Sequence, residues 1–157
     1  MDKSIKKLAL YGLFAALTII ATLVFKVPVP SFNIYFNMGE SIIYLVALLY
    51  GGPAGAIIGG VASALADIIG GYPLWAPITL IIKGVEGFIV GTMVRKTSIP
   101  VAIALGAIPL VLGYASVAGI LYGRAAVPIE FLLSSLQAIV GGLVAMFLYP
   151  RLKTYLG

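Results

Sequence analysis

The chain has 157 residues, of which 62% are hydrophobic and only 10% are charged, and its net charge is +5. A soluble domain is typically about 45–50% apolar and about 25% charged, so this composition argues against a soluble domain and predicts an integral membrane protein. The sequence has no cysteine and no histidine, which excludes disulfides, thiol or imidazole catalysis and the usual zinc ligands.

Six apolar segments follow one another, and we expect an all-α membrane protein with six transmembrane helices in one compact bundle, a single domain over positions 1–157. The basic leader of the first segment imitates a signal peptide, but the apolar run is too long, and we interpret it as a retained helix. Proline and glycine interrupt the chain between segments. The predicted helices are 8–25, 39–50, 53–69, a fourth that begins between positions 74 and 78 and ends at 95–96, 100–122 (with a kink expected at Pro109) and 128–150.

The basic residues predict the orientation of these helices. With six crossings, one side of the membrane collects Lys3, Lys6, Lys7, Arg95, Lys96, Arg151 and Lys153, whereas the other side collects only Lys26 and Arg124. Because positive residues favour the cytoplasmic side, both termini are predicted to be cytoplasmic. The basic residues lie at helix ends and form no groove-sized face. We therefore expect this positive charge to reflect orientation in the lipid bilayer, and we expect no nucleic acid as a partner.

Polar residues follow helical spacing on two of the predicted helices. The fourth carries Trp75, Thr79, Lys83 and Glu86 on one face, and the sixth carries Glu130, Ser134, Gln137 and Gly141. Both rows descend from the outer side, which predicts a cavity open outward. The alternative is that these groups only bond helices together, with Lys83 and Glu86 as a structural ion pair. Trp75 is an interfacial anchor or a stacking wall, and Asp67 is expected to be structural.

Two further segments have open interpretations. The loop at 26–38 contains aromatic and amide side chains, which are typical both of an interfacial anchor and of a binding lid. Gly12 and Ala16 form a small-xxx-small pair on the first helix, which indicates close packing inside the protein or, less commonly, against another membrane subunit. No phosphate-binding loop and no metalloprotease or hydrolase motif is found, so we predict no enzyme activity, no cofactor and no metal site.

The block from Asn37 to Gly91, NMGESIIYLVALLYGGPAGAIIGGVASALADIIGGYPLWAPITLIIKGVEGFIVG, resembles the substrate-binding S components of energy-coupling-factor (ECF) vitamin transporters. It is most similar to the group for riboflavin, the thiamine precursor hydroxymethylpyrimidine, or pyridoxine. The resemblance implies a multi-pass protein of a prokaryotic plasma membrane. It also implies three kinds of partner: a small-molecule vitamin, a transmembrane coupling subunit and two ATPase subunits.

The resemblance also implies where the ligand binds, because family pockets are built by the loop after helix one and by helices four to six. The corresponding positions here are Phe32, Asn33, Asn37, Trp75, Thr79, Lys83, Tyr114, Glu130, Ser134 and Gln137. Family members often carry an AxxxA element on helix one that contacts the coupling subunit, and this sequence has Gly12 and Ala16 instead. The expected function is thus high-affinity vitamin capture.

The charges and aromatic residues at the outer side bear on the ligand. Lys26, Glu40, Asp67, Arg124 and Glu130 sum to one negative charge, which favours a neutral or weakly cationic ligand, and flat heteroaromatic rings suit Trp75 and Tyr114. A competing hypothesis is a self-sufficient, oligomeric, ion-coupled carrier that uses Lys83 and Glu86.

Overall fold

The computed structural model describes residues 3–156, with the side chains of residues 5–155, so the side chain of Lys3 lies outside the described part. Residues 3–156 form six helices and one short hairpin. Their bounds are α1 Lys3–Val24, β1 Val27–Val29, β2 Ile34–Phe36, α2 Gly39–Tyr50, α3 Gly52–Ile69, α4 Ala76–Met93, α5 Ile99–Tyr122 and α6 Ala126–Leu156.

Five of the six helices are long and apolar enough to cross a bilayer, and the chain is therefore an all-α membrane protein, as predicted. The exception is α2, whose 12 residues extend about 18 Å, compared with a hydrocarbon core of about 30 Å. The number of crossings and the cytoplasmic position of the termini stay predictions.

The predicted boundaries differ from the structure in three places. Helix α1 begins five residues before position 8, and the predicted loop at 26–38 contains an antiparallel pairing in which Val27 lies opposite Phe36. Helix α6 does not end near Pro150 but continues to Leu156. The side chain of Arg151 supports this last turn, because its Nη1 donates a hydrogen bond of 2.9 Å to the carbonyl oxygen of Phe147.

The helix ends that carry the basic residues meet at one end of the bundle. Tyr11 near the start of α1 contacts Tyr50 at the end of α2 edge-on, with 5.7 Å between ring centroids. Val94, Ile99 and Leu152, from the α4–α5 connection and the end of α6, pack against the same apolar cluster. We call this the cation-rich end. A second cluster around Trp75, Leu110 and Tyr114 packs beneath the hairpin.

Glycine allows α3 and α4 to touch through their backbones. A Cβ on Gly59 would lie 2.6 Å from the backbone oxygen of Lys83, and a Cβ on Gly87 would collide with the carbonyl oxygen of Gly55. Since lipid provides no hydrophobic drive between helices, such close approach supplies the packing energy. It also fixes the position from which α4 directs Lys83 into the protein.

Helix α3 is not regular along its length. Residues Ile58–Ala62 form one turn of π-helix between the α-helical segments Gly52–Ile57 and Ser63–Ile69. A π-turn amounts to one additional residue in an α-helix and is frequent at functional sites. The segment after it, which carries Asp67, is therefore out of phase with the segment before it.

We predict that Gly87→Ala lowers the thermal stability of the detergent-solubilised protein. The added methyl group meets backbone, which cannot rotate away, and such overpacking typically costs about 1–3 kcal/mol. Gly84→Ala is the matched control on the same helix, because a Cβ there would have its closest neighbour at 3.6 Å. Melting curves of the two variants and the parent protein test this, and equal melting temperatures for both variants would contradict it.

Candidate functional site

A cavity lies at the hairpin end of the bundle, between the hairpin and helices α3 to α6. Its free volume is about 30 Å³. That space holds no more than about two water molecules, so a bound ring would have to displace the hairpin or side chains. The lining residues are Ile34, Tyr35, Asn37, Asp67, Trp75, Thr79, Lys83, Tyr114, Glu130 and Gln137.

Three contacts fasten the hairpin over this cavity. Trp75 Nε1 lies 3.1 Å from the carbonyl oxygen of Asn33, to which it donates a hydrogen bond. Lys26 Nζ donates to the carbonyl oxygen of Gly70 at 2.8 Å, just beyond the end of α3. The Tyr35 hydroxyl donates to Asp67 Oδ1. Burial, together with the Asp67 carboxylate, raises the pKa of Tyr35 above its ordinary value, so the phenol keeps its proton and remains the donor.

The conformation of the hairpin tip explains why Asn33 serves as an anchor point. Asn33 has a φ of 47°, in the left-handed region that asparagine tolerates better than most residues. This residue turns the chain between the two strands and directs its carbonyl oxygen to the indole of Trp75. Its side chain is exposed and does not line the cavity.

At the base of the cavity, Lys83 of α4 forms an ion pair with Glu40 of α2, and both side chains are buried. Glu86, one helical turn further along α4, accepts a hydrogen bond of 2.5 Å from the Tyr44 hydroxyl of α2. Of the two open interpretations, the structural ion pair of Lys83 with Glu86 is therefore wrong, because Lys83 pairs with Glu40 instead. Residues 40 and 44 are one turn apart on α2, so α2 supplies separate partners to Lys83 and Glu86. The spacing of residues within α4 does not show that α2 is the neighbouring helix.

An amide pair joins the second strand to α6. Gln137 Oε1 accepts hydrogen bonds from Asn37 Nδ2 at 2.5 Å and from the Asn37 backbone N–H at 3.1 Å. Asn37 Oδ1 in turn accepts from the backbone N–H of Gly39, at the start of α2. The hairpin, α2 and α6 are therefore positioned by the same two side chains, both of which line the cavity.

Aromatic rings form the side of the cavity that faces α5. The ring centroids of Trp75 and Tyr114 are 5.6 Å apart and their planes are inclined by 49°. The Tyr114 hydroxyl donates to Thr79 Oγ1 at 2.8 Å, which fixes the orientation of the phenol. Such a wall offers a flat ligand a surface for stacking, while the nearby polar groups set its orientation.

The cavity contains more carboxylates than cations. Asp67, Glu130 and Lys83 line it, and Glu40 lies at its base. One oxygen each of Asp67, Glu130 and Glu40 is buried and has no hydrogen-bond partner among the described residues. Since a buried acceptor without a donor is costly, this arrangement suits a ligand that brings N–H or O–H donors or a positive charge.

Most of the predicted binding residues surround this cavity, and three do not line it. Those that line it are Asn37, Trp75, Thr79, Lys83, Tyr114, Glu130 and Gln137. Phe32 packs against the apolar cluster beneath the hairpin, and Asn33 contributes only its carbonyl oxygen. Ser134 lies behind Glu130 and donates a 2.9 Å hydrogen bond to its Oε1.

Sequence reasoning did not assign Ile34, Tyr35 or Asp67 to the cavity. A hairpin could have been predicted from the β-branched and aromatic residues on both sides of a short turn, which are Val-Pro-Val and Ile-Tyr-Phe. Asp67 was expected to be structural, and its bond to Tyr35 is indeed of that kind, but its second oxygen also faces the cavity residues.

The proposed docking pair on α1 lies away from this site. Gly12 and Ala16 are both exposed, and a Cβ added to Gly12 would meet nothing within 4 Å. Among the described residues Gly12 therefore leaves open space and allows no close helix approach, and the contact of this pair with another subunit stays a prediction.

Comparison with known proteins gives one consistent family. Residues 2–154 match the family described as the ECF-type riboflavin transporter, S component. The chain is 43% identical to an uncharacterized protein of Pyrococcus woesei over 142 residues, which cover 88% of this chain and 95% of that protein. It is 31% identical to the thiamine precursor transporter HmpT of Lactococcus lactis over 153 residues, 97% of this chain and 90% of that one.

A weaker similarity covers part of the chain. Over 97 residues it is 31% identical to a UPF0397 protein of Streptococcus agalactiae, which is 61% of this chain and 52% of that protein. The family match, by contrast, extends over nearly every residue and agrees with the membrane fold and the buried polar cavity. The chain therefore belongs to the ECF-type riboflavin transporter S component family, and it is a transport subunit and not an enzyme.

Proposed function

We propose that the protein captures a small heteroaromatic vitamin or vitamin precursor from outside the cell in the cavity beneath the hairpin. The observation that carries this proposal is the cavity itself, a buried group of aromatic, amide and carboxylate side chains covered by a fastened segment. The sequence has no phosphate-binding loop of its own, so the energy for release has to come from a partner.

The partner in this proposal is an ECF module, consisting of a transmembrane coupling subunit and two ATPase subunits. The exposed pair Gly12 and Ala16 on α1 is the proposed contact with the coupling subunit. The whole chain acts as one substrate-binding domain in the plasma membrane of a prokaryote, with both termini in the cytoplasm. The excess of basic residues at one end of the bundle supports that orientation.

The ligand in this proposal is bound by the predicted residues of the loop, α4, α5 and α6 that line the cavity, with Tyr35 and Asp67 in addition. Trp75 and Tyr114 stack on its ring. Gln137 and Thr79 offer hydrogen-bonding groups, and the free oxygens of Asp67 and Glu130 accept hydrogen bonds from ligand donors. In this proposal Phe32, Asn33 and Ser134 do not line the cavity and instead support residues that do.

Among the vitamins of the family, we propose a single-ring compound such as hydroxymethylpyrimidine or pyridoxine over riboflavin. Its amino or hydroxymethyl groups supply the donors that the unpaired carboxylate oxygens lack. A single ring also requires a smaller displacement of the hairpin than a three-ring flavin, since the free volume is about 30 Å³. The similarity to a thiamine precursor transporter supports the same choice.

We predict that the purified protein, without ATP or partner subunits, binds hydroxymethylpyrimidine or pyridoxine more tightly than riboflavin. Trp75 is the one tryptophan of the sequence and lines the cavity, so its fluorescence reports on occupancy. Titration with the three compounds, with calorimetry as an independent readout, measures the affinities. Binding of no compound would contradict the proposed function, and tighter binding of riboflavin would contradict the proposed substrate alone.

We also predict that Glu130→Gln weakens ligand binding by about 10- to 100-fold, because a hydrogen bond to a charged group contributes about 1.5–3 kcal/mol. The change keeps the shape of the side chain and removes the charge of an oxygen without a partner. Glu86→Gln is the matched control, since Glu86 is equally buried but does not line the cavity. An unchanged affinity in Glu130→Gln, or an equal loss in both variants, would be inconsistent with ligand contact at Glu130.

The fastening of the hairpin predicts a kinetic effect. Tyr35→Phe removes the hydroxyl that donates to Asp67, so we expect the ligand to dissociate about tenfold faster. Tyr72→Phe serves as control, because the Tyr72 ring that contacts Tyr35 at a centroid distance of 4.6 Å is kept. Stopped-flow fluorescence measures both dissociation rates, and the same rate in Tyr35→Phe as in the parent would show that the hairpin does not limit release.

A further inference from the structure

A second cavity lies between α5 and α6, toward the cation-rich end of both helices, and the proposed function makes no use of it. It is a groove of about 390 Å³ between the two helices. One stripe of each helix lines it at helical spacing, including Ile103, Ala107 and Val111 of α5 and Ala138, Gly142 and Met146 of α6. Small residues at 107, 138 and 142 leave the space between the larger ones.

The groove is apolar and faces outward from the bundle. Ile139 and Leu143 on its rim are each 59% exposed, on helices long enough to cross the bilayer. Ser135 has the one hydroxyl in the lining, and that hydroxyl donates to the carbonyl oxygen of Phe131 at 2.7 Å. The groove therefore presents no free hydrogen-bonding side chain and suits a hydrocarbon ligand.

The length of the groove matches one leaflet of a bilayer. The lining runs from position 100 to 111 on α5 and from 135 to 146 on α6, which at 1.5 Å per residue is about 16 Å. That is the hydrocarbon depth of one leaflet, about 15 Å. One acyl chain that lies along the two helices therefore has the length to fill the groove, whose lining offers it no free hydrogen-bonding side chain.

The charge at the end of the groove indicates the head group. The end formed by Pro100 and Met146 is next to Lys96, four residues before Pro100, and Arg151, five residues after Met146. Both are exposed. From position 87 to 156 the one acidic side chain is Glu130, at the far end of α6, so no carboxylate side chain of α5 or α6 lies beside these cations. A basic cluster at this level of a membrane attracts anionic head groups.

We propose that this groove binds one acyl chain of an anionic phospholipid from the leaflet at the cation-rich end, with its head group against Lys96 and Arg151. The lipid fills space that the α5–α6 interface leaves open and is held at a fixed place on the protein. The inference does not depend on the identity of the vitamin or on its binding.

Native mass spectrometry of the full-length protein in detergent tests this proposal, with phosphatidylglycerol and phosphatidylcholine of identical acyl chains as probes. We expect one phosphatidylglycerol molecule to be retained about 30-fold more strongly than phosphatidylcholine, since each cation near the membrane surface contributes about fivefold. Equal retention of the two lipids would overturn the head-group assignment and with it the proposal.

Two pairs of variants separate the head group from the acyl chain. Lys96→Gln with Arg151→Gln is expected to lower retention of phosphatidylglycerol to that of phosphatidylcholine, whereas Lys6→Gln with Lys7→Gln, which removes the same charge from exposed positions of α1, leaves the preference intact. Ala104→Leu with Ala107→Leu fills the groove and is expected to abolish retention of both lipids, whereas Ala9→Leu on α1 does not.

The opposite results are equally clear. Unchanged lipid retention in the filled groove, or an equal loss of preference in the α1 charge variant, would overturn the proposal. The proposal would also be overturned if the variant with the filled groove kept its lipid but no longer assembled with the coupling subunit or with a second copy of the chain. If the filled variant does not fold, as judged by circular dichroism, the exposed charge variants decide the question alone.

Discussion

The ion pair between Lys83 and Glu40 is the constraint on which the rest of the bundle depends. An isolated charge at the centre of a membrane helix costs about 2.5–3.5 kcal/mol on insertion scales, so Lys83 requires a carboxylate at its own depth. Glu40 is in the first turn of the short helix α2, and α2 must therefore begin inside the protein and not at its surface. The chain before it has to descend to that depth, which brings the hairpin and Asn37 into the bundle over the cavity.

The same burial leaves carboxylate oxygens in the cavity without donors. Lys83 neutralises one carboxylate, while Asp67 and Glu130 line the same space and each keeps a buried oxygen without a donor among the described residues. A protein core optimised only for stability would replace such groups with apolar side chains. Their presence beside an aromatic wall is understandable if a ligand with its own donors completes the hydrogen bonding, and a fastened hairpin keeps water away from the site.

Much of the fold followed from the sequence, because membrane helices are apolar runs whose ends are marked by proline, glycine and basic residues. The second helix was predicted within its observed bounds, and the rows on the fourth and sixth helices did meet in one cavity. The spacing of residues along one helix does not identify the element against which each face of that helix packs. The one ion pair that could be considered for Lys83 was therefore with Glu86 on its own helix, and not the observed pair with Glu40. Asp67 and Tyr35 were assigned to no cavity because their contact joins a strand to a distant helix.

The π-turn in α3 determines which side chains of its last segment face the cavity. In an α-helix each residue advances the direction of the side chain by about 100°, and a turn with one additional residue rotates everything after it by that amount. Asp67 points to the cavity because of this rotation, five residues after the turn ends. The direction of Asp67 thus depends on the turn between positions 58 and 62, and a homologue of the same length with a regular α-helix there would turn a different side chain toward the cavity even with every polar residue retained.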